Sequence, residues 1–139
     1  MENSNQKKSS KALNVILWIA QVLLAGMFLM AGFTKVATPI DKLVVMMPFA
    51  AALPVGLVKF IGVSEILGAL GLLLPSLLRI QPQLTVLAAR ALILVMILAL
   101  AFHVSRGEFS AIGTNLVLGS IAFFISWGRS KKAVIEARA

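Results

Sequence analysis

Four apolar stretches of about 20 residues, near positions 13–33, 57–78, 84–104 and 109–128, leave this 139-residue chain little choice of architecture. Each is long enough to cross a hydrocarbon core about 30 Å thick, where a helix rising 1.5 Å per residue needs about 20 residues. Within that core every backbone polar group must be satisfied internally, so four such runs predict four helices. With 60% hydrophobic and 13% charged residues, little remains to build a soluble domain. The expected fold is all-α, a polytopic membrane four-helix bundle in a lipid bilayer.

The formal net charge of +8 does not point to nucleic acid. The basic residues sit mainly at the two ends and between spans, without the clustered basic face that a nucleic-acid groove requires. They read instead as topology signals. Lys7, Lys8 and Lys11 precede the first span, and Arg129, Lys131 and Lys132 follow the last. By the excess of Lys and Arg on cytoplasmic flanks, both termini are expected in the cytoplasm, which agrees with an even number of spans. Lys35 and Lys42, against Asp41 alone, weigh against this orientation because they fall on the predicted outer side. The expected division is a flexible basic tail over 1–11, the membrane domain over 12–129 and a short basic, helical tail over 130–139. The first apolar run is too long for a signal-peptide core of about 7–15 residues, so it is read as an uncleaved helix.

Each span carries a polar or small-residue stripe. On the first, Gln21, Ala25, Phe28, Gly32 and Lys35 share a face. On the second, Phe60, Val63, Ile66, Leu67, Leu70, Leu73 and Leu74 form a lipid-compatible half, opposite Gly62, Ser64, Glu65, Gly68, Ala69 and Gly71. An intramembrane carboxylate exposed to lipid is costly, so Glu65 must face the interior and find a partner. Thr85, Ala88, Ala99 and His103 lie on one side of the third span, with Arg90 well round from them and expected to snorkel to the interface. The fourth aligns Asn115, Gly119, Ala122 and Ser126. Pro39, Pro48 and Pro54 argue against a further span between the first two and favour a helical turn at the interface. After Pro75, the segment SLLRIQPQ reads as a turn.

At the outer end these features converge. Lys35 ends the first helix, Glu65 and Asn115 lie at similar depth on the second and fourth, and His103 ends the third just before Arg106 and Glu108. Two readings compete. In one, Glu65 pairs with Lys35 or Arg106 to fix helix register. In the other, Lys35, Glu65, His103, Arg106 and Asn115 surround a ligand pocket with greasy walls and a few polar groups.

The sequence has no cysteine and one histidine, which excludes disulfides, thiolate metal sites, dithiol redox chemistry and bis-histidine haem. Hydrolase, nucleotide-loop and HExxH patterns are missing, and no metal site is expected. The adjacent Met46 and Met47 make a poor metal site by themselves.

The segments LLAGMFLMAGFTKV (23–36), FIGVSEILGALGLLLP (60–75), AFHVSRGE (101–108) and NLVLGSIAFFISWGR (115–129) carry G-x-x-K, G-x-x-E, a closing L-P and a polar turn in order. In this the chain resembles the four-helix DoxX-like membrane proteins. The matching positions are Gly32, Lys35, Gly62, Glu65, Gly68, His103, Arg106, Glu108 and Asn115. The resemblance implies a link to thiosulfate:quinone oxidoreductase, to membrane oxidative-stress complexes or to chaperone-like assembly factors. It assigns no catalytic residue.

The leading expectation is therefore an inner (plasma) membrane protein, at most a subunit of an oxidoreductase complex. It would hold quinone or another lipophile at the outer mouth for a redox-enzyme partner, which supplies the flavin, metal or thiol. Glu65 would accept a hydrogen bond or proton, His103 and Arg106 would donate to carbonyl oxygens, and Lys35 would tune Glu65. The alternative is a structural or chaperone-like assembly factor that meets other membrane proteins through its small-residue faces. A proton-coupled carrier is disfavoured for a monomer by the lack of broken helices and inverted repeats, while a homo-oligomer is left open.

Overall fold

The computed structural model describes residues 2–139, with side chains from Lys11 onward. Among these residues the chain forms α1 (Glu2–Ala37), α2 (Ile40–Met46), a 3-10 helix (Pro48–Ala52), α3 (Val55–Leu78), α4 (Gln83–Ser105) and α5 (Phe109–Trp127), then a π-helical turn (Gly128–Lys132). Four helices are long and apolar enough to cross a membrane, in agreement with the four apolar runs. Residues 2–11 continue α1, and their side chains up to Ser10 lie outside the described residues.

The long helices follow one another around the bundle in the order α1, α3, α4, α5, with only a light closing contact between α1 and α5. Leu24, Ala25 and Phe28 of α1, Ala69 and Leu72 of α3, Ala89, Leu92 and Met96 of α4, and Ala122 and Ile125 of α5 form the central core. The sequence periodicity places these faces well. Gln21, Ala25, Phe28, Gly32 and Lys35 are all buried, whereas Phe60, Val63, Leu67, Leu70 and Leu74 of α3 are exposed on the side suited to lipid.

Glycine sets the closest approach. An added Cβ at Gly32 would lie 2.6 Å from the Gly62 carbonyl oxygen, and one at Gly62 would lie 2.8 Å from that of Gly32, so α1 and α3 touch backbone to backbone. Gly68 faces Leu92 and Gly71 faces Ala88 at similarly short range. The small residues on the Glu65 side of α3 are therefore used within the bundle, where close van der Waals packing replaces the hydrophobic effect as the force between helices.

Two local expectations are corrected. The α3 helix does not end at Pro75 but continues to Leu78 and closes at Arg79 in the left-handed conformation (φ 56°). Proline removes one donor from the helical ladder, yet Ser76 beyond it is buried and shares a 2.7 Å hydrogen bond with Thr85 of α4. That contact rewards continuing the helix. The segment after Lys132 is irregular rather than helical. It runs back beside Arg79, whose Nε donates to the Glu136 carbonyl at 2.9 Å and whose own carbonyl accepts from the Arg138 amide at 2.8 Å.

Candidate functional site

The connection between α1 and α3 contains short helical turns and no further span, as the prolines suggest, and it folds into a cap. Leu43 of α2, Ala50 of the 3-10 helix and Val58 of α3 form a small apolar cluster separate from the main core. Beneath it Lys35 Nζ donates to both oxygens of Glu65, at 2.8 and 3.1 Å. Both side chains are nearly fully buried. The seam of Lys35 with Leu43, Val55 and Val58 has no room for a water molecule. Lys59, one turn before Gly62, donates instead to the Val36 carbonyl and helps end α1.

The five sequence-predicted residues fall into two groups. Lys35 and Glu65 form the closed pair. His103, Arg106 and Asn115 lie around the α4–α5 turn. Glu108 organises that turn: Arg106 Nε donates to its Oε1 and His103 Nδ1 bonds its Oε2, both at 2.7 Å. These two hydrogen bonds, from Arg106 first and His103 second, hold the Glu108 carboxyl below its ordinary pKa. An ionised carboxylate only accepts, so His103 carries its hydrogen on Nδ1 and Nε2 is left as the remaining polar atom of the ring.

Phe49 stands between the groups. Its ring meets His103 edge-on with centroids 5.7 Å apart, and its centroid is 6.0 Å from Lys35 Nζ. Nothing in its local sequence singles out Phe49, because only the fold of the cap brings it under the bundle mouth. Together with Met46, Met47, His103, Glu108, Thr114 and Asn115 it lines a cavity of about 400 Å³. Arg106 braces Glu108 and stacks 5.4 Å from the Phe102 ring without lining this cavity.

Asn115 occupies a special place in this arrangement. Its Nδ2 is buried and has no hydrogen-bond partner among the described residues. The same side chain borders a second hollow of about 260 Å³ between α4 and α5, whose walls include Met96, Ile97, Leu100, Leu116 and Phe123. A mostly apolar cavity with a few polar groups and an apolar groove thus adjoin at one unsatisfied amide.

The opposite end of the bundle holds a polar centre that sequence reading missed. Arg129, expected as a topology signal at the end of the membrane domain, is buried. Its Nε donates to Gln21 Oε1 at 2.6 Å, and its Nη1 donates to Asn14 Oδ1 at 2.5 Å and to the Ala133 carbonyl at 3.1 Å. Its guanidinium also lies over Trp18, 5.2 Å from the ring. Gln21 Nε2 donates onward to the Leu72 carbonyl at 2.6 Å. The signal available in the sequence was Gln21 itself, an inward amide in need of a partner, together with Gly128, which lets Leu17 approach its backbone closely.

No curated protein and no solved structure matches the chain. The model of the DoxX-like family matches residues 19–125, from within α1 nearly to the end of α5. That match covers the closed ion pair, the α4–α5 turn and the core of all four membrane helices, so the chain belongs to the DoxX-like family and is a multi-pass membrane protein.

Proposed function

We propose that the protein is a non-catalytic inner-membrane subunit that binds a lipophilic molecule of the quinone class at the α2 end and presents it to a redox partner. The observation that carries this reading is Asn115, a buried amide donor without an acceptor among the described residues, at the junction of an apolar groove and a cavity that carries His103, Glu108 and Thr114 on mostly apolar walls. Leaving a buried donor unpaired costs about 1–3 kcal/mol, which a ligand carbonyl would recover. A ring head in the cavity would meet Asn115 Nδ2 and the His103–Glu108 pair, while an alkyl or isoprenoid tail would lie along Met96, Leu100 and Phe123. The Glu108 carboxylate orients His103 through the hydrogen bond at Nδ1. With no cysteine in the sequence, electrons would come from the partner's flavin, metal or thiol.

Lys35 and Glu65 have a supporting role in this reading. Their mutual hydrogen bonds leave them closed beneath the cap, and they hold α1 against α3. The test is titration of the detergent-solubilised protein with an alkyl-tailed naphthoquinone, comparing wild type with Asn115→Leu. A loss of about tenfold in affinity corresponds to about 1.4 kcal/mol, within the range of one lost hydrogen bond. Equal binding by the two proteins would remove the basis of the proposal.

A further inference from the structure

The hollow at the end carrying the termini is chemically unlike the one at α2. It measures about 460 Å³ and is bordered by Leu84, Leu87, Arg90, Arg129, Val134 and Ile135. Arg129 is buried, and all three of its hydrogen-bond acceptors are neutral oxygens, from Gln21, Asn14 and Ala133. Its Nη2 has no hydrogen-bond partner among the described residues. Arg90 reaches the same hollow, held among the described residues by a 3.4 Å contact from its Nε to Ser126 Oγ. Among the described acidic residues, Asp41, Glu65 and Glu108 belong to the far end, and the exposed Glu136 makes no ion pair.

Among the described residues no carboxylate meets this buried guanidinium, so the element that would complete it is an anion. Guanidinium groups match the planar, multi-oxygen face of a phosphate through paired N–H donors. We propose that the hollow between the start of α4 and the returning C-terminal segment binds a phosphate group of net negative charge, one not neutralised by a cation of its own as in phosphatidylcholine, through Arg129 at its floor and Arg90 at its side. The walls favour a phospholipid headgroup as the source. Leu84 and Leu87 are exposed on the membrane-facing side of α4, and Val134 is exposed on the returning segment, so acyl chains can leave the hollow along apolar surface. Basic pockets between membrane helices bind acidic headgroups in this manner. The site lies at the other end of the bundle from Asn115 and does not depend on the quinone reading.

The experiment is thermal unfolding of the full chain in neutral detergent with added phosphatidylglycerol, phosphatidylcholine or inorganic phosphate, for wild type and Arg90→Gln. The exposed Arg90 makes one weak contact, so its variant is expected to unfold at the wild-type temperature without additive. Phosphatidylglycerol should raise the midpoint well beyond phosphatidylcholine, and Arg90→Gln should weaken its apparent affinity by about tenfold, as expected for one charge-assisted contact. If inorganic phosphate gives the same shift and competes with the lipid, the phosphate site stands and its source is soluble. Equal effects of the two lipids with none from phosphate, or an unchanged response in Arg90→Gln, would overturn the proposal.

Discussion

Among the described residues, the two buried cations, Lys35 and Arg129, have similar burial and opposite circumstances. Lys35 is 6% exposed and meets a carboxylate, whereas Arg129 is 3% exposed and meets only amide and carbonyl oxygens. Lys35 is enclosed by the cap with no space beside it, while Arg129 borders an open hollow and keeps one nitrogen unbonded. A matched pair within apolar packing fixes the register of two helices. An unmatched cation beside a cavity leaves charge available to a ligand. Burial of a charge by itself therefore does not separate structure from function; the company of the charge does.

The largest effect is expected from breaking the matched pair. Glu65→Gln leaves the Lys35 ammonium buried opposite a neutral amide, and loss of one partner of a buried pair typically costs about 3–5 kcal/mol. The double variant Lys35→Met/Glu65→Leu should recover most of that stability, because an apolar pair of similar size avoids the desolvation penalty. Chemical or thermal unfolding of the three proteins in one detergent checks both statements. Failure of the double variant to recover would mean that the pair does more than hold α1 on α3.

An intermediate effect should come from the glycines beneath each cation. Gly62→Ala sets a methyl group 2.8 Å from both the Gly32 carbonyl oxygen and Lys35 Cβ, so two helix backbones must separate, at a cost of about 1–3 kcal/mol. Gly128→Ala meets the terminal carbons of Leu17 at 2.6 Å, and a leucine side chain can rotate away. Gly62→Ala should therefore be the more destabilising in the same unfolding assay. The reverse order would place the tighter helix contact at Arg129.

The smallest effect concerns pH. Glu108 has a folded-state pKa below its ordinary value near 4.5, so its contribution to stability is complete above that value and is lost as pH falls through the lower, folded one. Glu108→Gln should flatten this acid-side slope and leave the Lys35–Glu65 pair untouched. Unfolding midpoints compared between neutral pH and the acid limb would show it. An unchanged slope would mean that the carboxylate is not held by Arg106 and His103 in solution.

The four membrane helices were legible because lipid imposes a length and a composition on each, and their inner faces because 3.6-residue periodicity separates small and polar residues from large apolar ones. Glu65 was legible as an inward acid for the same reason. Its choice of Lys35 over Arg106 was not, since that depends on the backbone contact at Gly32 and Gly62 and on Glu108 engaging Arg106. Pro75 misled because a local rule about helix breaking gave way to the Ser76–Thr85 contact across two helices. Arg129 reads in the sequence only as a topology signal, because positive charge at a span end has two physical explanations, interface snorkelling and interior hydrogen bonding, and only the position of Gln21 and Asn14 decides between them. Sequence determined what must lie in the membrane and which faces turn inward. Tertiary structure decided which charges meet and which are left unmatched, because that depends on distances between helices that no single helix encodes.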